Sequence, residues 1–172
     1  MTVVAPPAQQ ALGVALAEDA DRIRLWPGVG RRAPGPFVLV IAEDSTQLAR
    51  LSRGRAPGWG AGLTFPAART IMLRADLPDL AQTLHHELAH LVLRDAVRTR
   101  VPLWFDEGYA SWASGELGRM EWLELNVAVA SGKLPRFEAL DAMLRGTASS
   151  ADLAYALAAS AVAEVSRRSP GG

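Results

Sequence analysis

The sequence predicts an α+β fold, with a small mixed sheet from the first half and helices from the second. Three observations carry that expectation. The apolar, β-branched run Phe37-Val38-Leu39-Val40-Ile41 suits a buried strand. Two further extended stretches, residues 62–65 and 70–73, flank a turn containing Pro66 and read as a hairpin. From Pro78 onward the pattern is helical, with Leu80, Leu84, Leu88 and Leu91 recurring at helical spacing.

The elements follow in order. Residues 9–25 read as an amphipathic helix preceded by Pro6-Pro7 and stopped by Pro27-Gly28, and residues 31–35 as a turn-rich joint. Beyond the first strand, Asp44-Ser45-Thr46 offers N-cap oxygens for a helix running to about Leu51. Residues 52–62 carry four glycines and a proline and form a loop before the hairpin. Pro78 suits the first turn of a helix that runs to about Ala96. After a break at 98–102, helices are expected over 103–116 and 119–131, the second closed by Gly132 as its C-terminal cap. A short helix covers 137–144. Ser150 is expected to cap a last one over 151–167, with Asp152 near its positive end. The 172 residues suit one domain, 1–172, in three parts: 1–34 (N-terminal helix and joint), 35–75 (sheet) and 76–168 (helices).

Composition narrows the function. Eighteen basic residues balance 18 acidic ones, which argues against a nucleic-acid or anionic-membrane surface as the main business of the molecule. Lys133 is the only lysine, a compositional bias rather than a functional signal. Cysteine is absent, so disulfides and thiolate chemistry are excluded and a metal would have to use His and carboxylate donors. No apolar run reaches the roughly 18 residues of a membrane-spanning helix. The first 17 residues lack the basic start and long apolar stretch of a secretory signal.

The chemistry is concentrated in His86-Glu87-Leu88-Ala89-His90. On a helix, residues four apart project from one face with about 6 Å between their Cβ atoms, so His86 and His90 can bind one ion. Glu87, one step round, can reach a water on that ion without being a ligand. A catalytic zinc needs three protein ligands and an open position. It lowers the pKa of its water from about 15.7 to near 7, where a neighbouring carboxylate can take the proton. Leu84, Leu88 and Leu91 lie on the opposite face and would anchor the helix in the core. The alternative is a surface helix with fortuitous His and Glu, and a third ligand separates the two. No histidine lies outside 85–90, and Leu93 and Ala96 stand where a longer histidine motif needs Gly and His, so the third ligand must be a carboxylate. His85 is rotated about 100° from His86 and is better read as a rim or surface histidine.

Downstream stands Pro102-Leu103-Trp104-Phe105-Asp106-Glu107-Gly108-Tyr109-Ala110. H-E-L-A-H followed by P-x-W-F-x-E-G-x-A resembles the gluzincin-type metallopeptidases of the MA clan, more narrowly the small bacterial peptidase MA-like domains. The resemblance runs from about Phe37 to Val165. It implies a zincin-like fold, the sheet packed on a helical half that carries the zinc helix. It implies zinc as cofactor and peptides or proteins as substrates, and it maps the third ligand onto Glu107. Asp106, on a shorter stem, is the rival. Gly108 would let the second helix approach the first closely. Tyr155, within an Ala-Tyr-Ala-x-x-x-Ser stretch, resembles the family's downstream tyrosine and is the expected oxyanion stabiliser, ahead of Tyr109 and His85. Related enzymes often place an acid one turn after the third ligand; Ser111 stands there, leaving Ser111, Asp95, Asp106 or a backbone carbonyl to orient the imidazoles.

In the clan an edge strand pairs with an extended substrate. The stretch 58–64, with Gly60, Ala61 and Gly62 as the substrate-binding residues, is the candidate here. Trp104, Trp112 and Trp122 are read as core. The family's habit of export implies an extracytoplasmic location. The expected activity is therefore zinc-dependent hydrolysis of peptide bonds, with His86, His90 and Glu107 as ligands and Glu87 as general base. A degenerate domain that binds peptides or partners without turnover is the alternative, and a structural zinc the third, disfavoured because no Cys or spare His supplies a fourth ligand.

Overall fold

The computed structural model describes residues 1–116, 125, 127, 130–132 and 134–168. It has the predicted α+β class. The chain divides into two compact units, Met1–Ala96 and Val97–Gly172. No helix among the described residues is long and apolar enough to cross a membrane.

The first unit is built on a four-stranded sheet of order β1-β4-β6-β5, in which β1 (Thr2–Val4), β4 (Val38–Ala42), β5 (Gly62–Phe65) and β6 (Thr70–Arg74) take part. β1, β4 and β6 run parallel, and β5 returns antiparallel to β6 at one end of the sheet. Alternation fixes the two faces. Leu39, Ile41, Ile71 and Leu73 are fully or almost fully buried and lie in register, Leu39 opposite Ile71 and Ile41 opposite Leu73. On the other face Ala42 packs with Leu48 and Ala56, joined by Leu63 and Met72. Leu48 comes from α2 (Ser45–Leu51), whose N-terminus is capped as expected: the Asp44 carboxylate accepts from the Gln47 amide at 2.7 Å.

Helix α1 (Gln10–Arg22) lies on the Ile41 face through a glycine. A Cβ on Gly13 would stand 2.6 Å from Val3 Cγ1 and 3.6 Å from Ile41 Cγ1. The chain leaves the helix at Ile23, earlier than the expected Leu25. It forms instead a short hairpin of β2 (Leu25–Trp26) and β3 (Gly30–Arg31), which the sequence reading missed along with β1. The reason is Trp26: its ring is buried and its indole N–H donates to the Arg32 carbonyl at 3.0 Å, an arrangement a helical end would not allow. The β5–β6 hairpin matches expectation, its turn a 3-10 segment Pro66–Ala68 closed by Arg69 in the left-handed region at φ 47°. Helix α3 (Leu80–Val97) completes the unit, with Leu84, Leu88, Ala89 and Val92 fully buried.

The second unit holds α4 (Leu103–Ser114), α5 (Leu140–Leu144, preceded by a 3-10 turn Phe137–Ala139) and α6 (Ala148–Arg168). α4 ends at Gly115 in the left-handed region, φ 73°. Its first turn is capped from afar, because the Asp141 carboxylate accepts from the Trp104 amide at 2.9 Å. Leu140, Leu144 and Ala154 form a core cluster against which Leu103, Trp104, Met143, Tyr155 and Leu157 pack. α6 starts one turn earlier than expected. Thr147 Oγ1 accepts from the Ser150 amide at 3.4 Å, the N-cap position, while Ser150 Oγ donates to the carbonyls of Met143 and Thr147. The cap is therefore Thr147 and not Ser150. The helix expected over 119–131, with Trp122, falls largely outside the described residues; Gly132 adopts the left-handed φ of 66° that a C-terminal cap uses.

Candidate metal and catalytic site

Helix α3 carries three of the expected residues into the interior of its unit. His86 and His90 are buried, their ring centroids 5.1 Å apart and their planes at 71°. A metal site needs its imidazoles in the neutral form, since a protonated ring cannot donate a lone pair. Glu87 is buried between them in sequence, only 6% exposed. Burying a carboxylate is costly unless it is hydrogen-bonded, and the Thr64 hydroxyl lies 2.6 Å from Glu87 Oε2. His85 turns elsewhere, edge-on to Trp26 with centroids 5.0 Å apart.

Among the described residues, one group of side chains could hold a metal ion: His86, His90 and Glu107, whose ligand atoms all lie within 4.8 Å of one another. Asp106 and His85 are not members of that group. Two imidazole nitrogens and a carboxylate oxygen, with no sulfur, form a donor set that suits zinc, and three protein donors leave a fourth tetrahedral position.

Gly108 packs against the last helix. A Cβ there would lie 2.6 Å from the backbone C and O of Ala158 and 2.9 Å from its Cβ, so the glycine lets α4 press against α6. Close approach is real. Its partner is the last helix.

The remaining candidates are placed as follows. Tyr155 is half-buried on α6 and packs on the Leu140–Leu144–Ala154 cluster. Tyr109 is buried on α4, edge-on to Trp112 at 6.1 Å; its hydroxyl has no hydrogen-bond partner among the described residues, and burial pushes the phenol well above its ordinary pKa. Ser111 is buried too, its hydroxyl likewise without a partner among the described residues. Asp95 is engaged by Arg69, whose Nη1 reaches both carboxylate oxygens at 2.9 and 3.0 Å. Gly60 donates its amide to Pro57 O at 2.9 Å, and Arg74 reaches back to the Gly60 and Ala61 carbonyls. Gly62 sits directly against Glu87, a Cβ there falling 2.7 Å from Oε1.

Thr64 is the site residue that sequence reasoning placed only in a substrate strand. A signal for it existed: Gly62 and Thr64 are two apart on a strand, hence on one face, with no side chain at the first and a short hydrogen-bonding one at the second.

An α+β fold that gathers two histidines and a glutamate defines a candidate metalloprotein. The profile of the Peptidase MA superfamily matches residues 17–165, and the chain belongs to that superfamily. No curated protein and no solved structure matches the chain.

Proposed function

We propose that this protein is a zinc-dependent, gluzincin-like peptidase, with His86, His90 and Glu107 holding the ion and Glu87 acting as general base. The observation that carries the reading is the convergence of those three donors within 4.8 Å, beside a buried glutamate one residue from the first. Superfamily membership supports peptides or proteins as substrates.

Zinc bound by this set supplies Lewis acidity, polarising a carbonyl and drawing the pKa of a water towards neutrality. The chain supplies the rest. His86 and His90 keep their spacing because Leu84, Leu88 and Leu91 anchor the same helix from its other side. Glu87 takes a proton from the attacking water and returns it to the leaving amine, a role worth about 10²–10⁴-fold in rate. Tyr155 is proposed to steady the developing oxyanion, and the stretch from Gly60 to Gly62 to line the path of an extended substrate. Fluorogenic peptides tested with zinc-loaded wild type and Glu87→Gln decide the matter. Hydrolysis that falls at least about 100-fold in the variant, with metal content unchanged, supports the reading. Undiminished hydrolysis overturns it, and zinc binding with no turnover by the wild type favours the degenerate, peptide-binding alternative.

A further inference from the structure

We propose that Thr64, on the strand at the end of the sheet, is a positioning residue that sets the orientation of the Glu87 carboxylate, and that Gly62 is kept free of a side chain by the same carboxylate. The proposal rests on reading Glu87 as the general base.

The geometry begins with alternation. Gly62 and Thr64 lie on one face of β5, while Leu63 turns to the opposite face to join the cluster of Ala42, Leu48 and Ala56. On the first face both positions meet the same side chain. Thr64 Oγ1 stands 2.6 Å from Glu87 Oε2 and 3.0 Å from the Glu87 carbonyl. A Cβ on Gly62 would fall 2.7 Å from Oε1 and 3.0 Å from Cγ. One residue thus grips an oxygen of the carboxylate, and the other leaves the space in which its second oxygen and stem lie.

Contact with both the carboxylate and the carbonyl gives the hydroxyl two uses. A hydroxyl has one proton and can also accept. It can donate to Oε2 when Glu87 is a carboxylate, the 2.6 Å separation being typical of a charge-assisted bond. It can equally accept from a carboxylic acid while donating to the Glu87 carbonyl. A base that gains and loses a proton in each turnover therefore keeps its hydrogen bond in both states.

The strand that carries Thr64 is itself fixed. Thr64 pairs with Ile71 and Gly62 with Leu73, and both partners are fully buried. The Arg74 amide donates to the Ala61 carbonyl at 3.0 Å, just before the strand. A glutamate side chain has three rotatable bonds, and misplacing a reacting group by about 1 Å can cost on the order of 100-fold. A fixed strand gripping a long side chain is a means of avoiding that loss.

Three variants and a metal-free measurement test the proposal. Thr64→Val keeps the shape and strand preference and removes the hydroxyl. In the zinc-loaded enzyme it should lower kcat about 10–100-fold with KM changed less than about two-fold, and Thr64→Ser should restore most of kcat. Gly62→Ala should also lower kcat while leaving the fold intact, because the atoms it displaces belong to the flexible side chains of Glu87 and Leu73 and not to the backbone. In the metal-free protein, Thr64→Val should lower the Tm more in the wild-type background than in Glu87→Ala, where only the bond to the carbonyl of residue 87 is left to lose. Wild-type kcat in Thr64→Val beside an inactive Glu87→Gln overturns the positioning role alone. A Thr64→Ser variant as slow as Thr64→Val, or equal Tm shifts in both backgrounds, overturns it as well. Full hydrolysis by Glu87→Gln instead removes the general-base reading on which the proposal stands.

Discussion

The two helices that bear the donor residues are held in opposite ways. α3 is fixed by large side chains: Leu84, Leu88, Leu91 and Val92 are at most 1% exposed. α4 is fixed by the lack of one, since Gly108 meets the Ala158 backbone where any Cβ would collide, and Ala110, two residues on, is fully buried. The first arrangement is weakened by removing atoms, and the second by adding them. Each carries a proposed ligand whose position depends on packing well away from the donor atoms.

The largest expected effect treats the helices alike. Loss of an orienting neighbour costs a metal site about 10–100-fold in affinity, so loss of a ligand should exceed roughly 100-fold. His90→Ala in α3 and Glu107→Ala in α4 should each weaken zinc binding by at least that factor in competition with a chromogenic chelator. Wild-type affinity in Glu107→Ala would remove α4 from the site.

Next come the anchors, where the helices should differ. Leu88→Ala opens a cavity under α3 and should cost about 2–5 kcal/mol in urea unfolding. Gly108→Ala should cost about 1–3 kcal/mol by overpacking, less up to about 1 kcal/mol of helix propensity regained. The closest atoms are Ala158 backbone C and O, so Ala158→Gly should fail to rescue it. Rescue would mean that side chains, and not the backbone, set the spacing of α4 and α6.

The smallest effect lies at the exposed end of β6. A hydrogen bond from Arg74 holds the Asp76 carboxyl below its ordinary range and raises the Arg74 pKa in turn. A carboxyl depressed by folding stabilises above its unfolded pKa, and that contribution disappears as pH falls through the folded value. Arg74→Gln should therefore move the Asp76 titration upward in an NMR carboxyl experiment. Because Asp76 is exposed, stability near neutral pH should change little.

What the sequence revealed follows from the range of the forces involved. The β4 run, the β5–β6 hairpin, the Asp44 cap and the two-histidine helix were legible because each is decided by residues within a few positions of one another. β1 was not: Thr2–Val4 is three residues long and is a strand only because it pairs with Val38–Val40. Trp26 drew residues 25–31 into a hairpin by burying its ring, a tertiary preference that a local helical pattern conceals. Of the group that could hold a metal, His86 and His90 could be read from spacing, and Glu107 only through family resemblance. The partner of Gly108 could not be read, and of the grip of Thr64 on Glu87 only the shared strand face with Gly62 could, since one joins residues 50 apart and the other residues 23 apart.

The central claim is that two imidazoles and one carboxylate of this chain bind a single zinc. X-ray absorption on the purified protein loaded with one equivalent of zinc tests it most directly. The account predicts a shell of nitrogen and oxygen atoms at about 2.0–2.2 Å with the outer-ring scattering of two histidines, reduced to one in His90→Ala. A zinc spectrum without imidazole scattering, or one unchanged in His90→Ala, would contradict it.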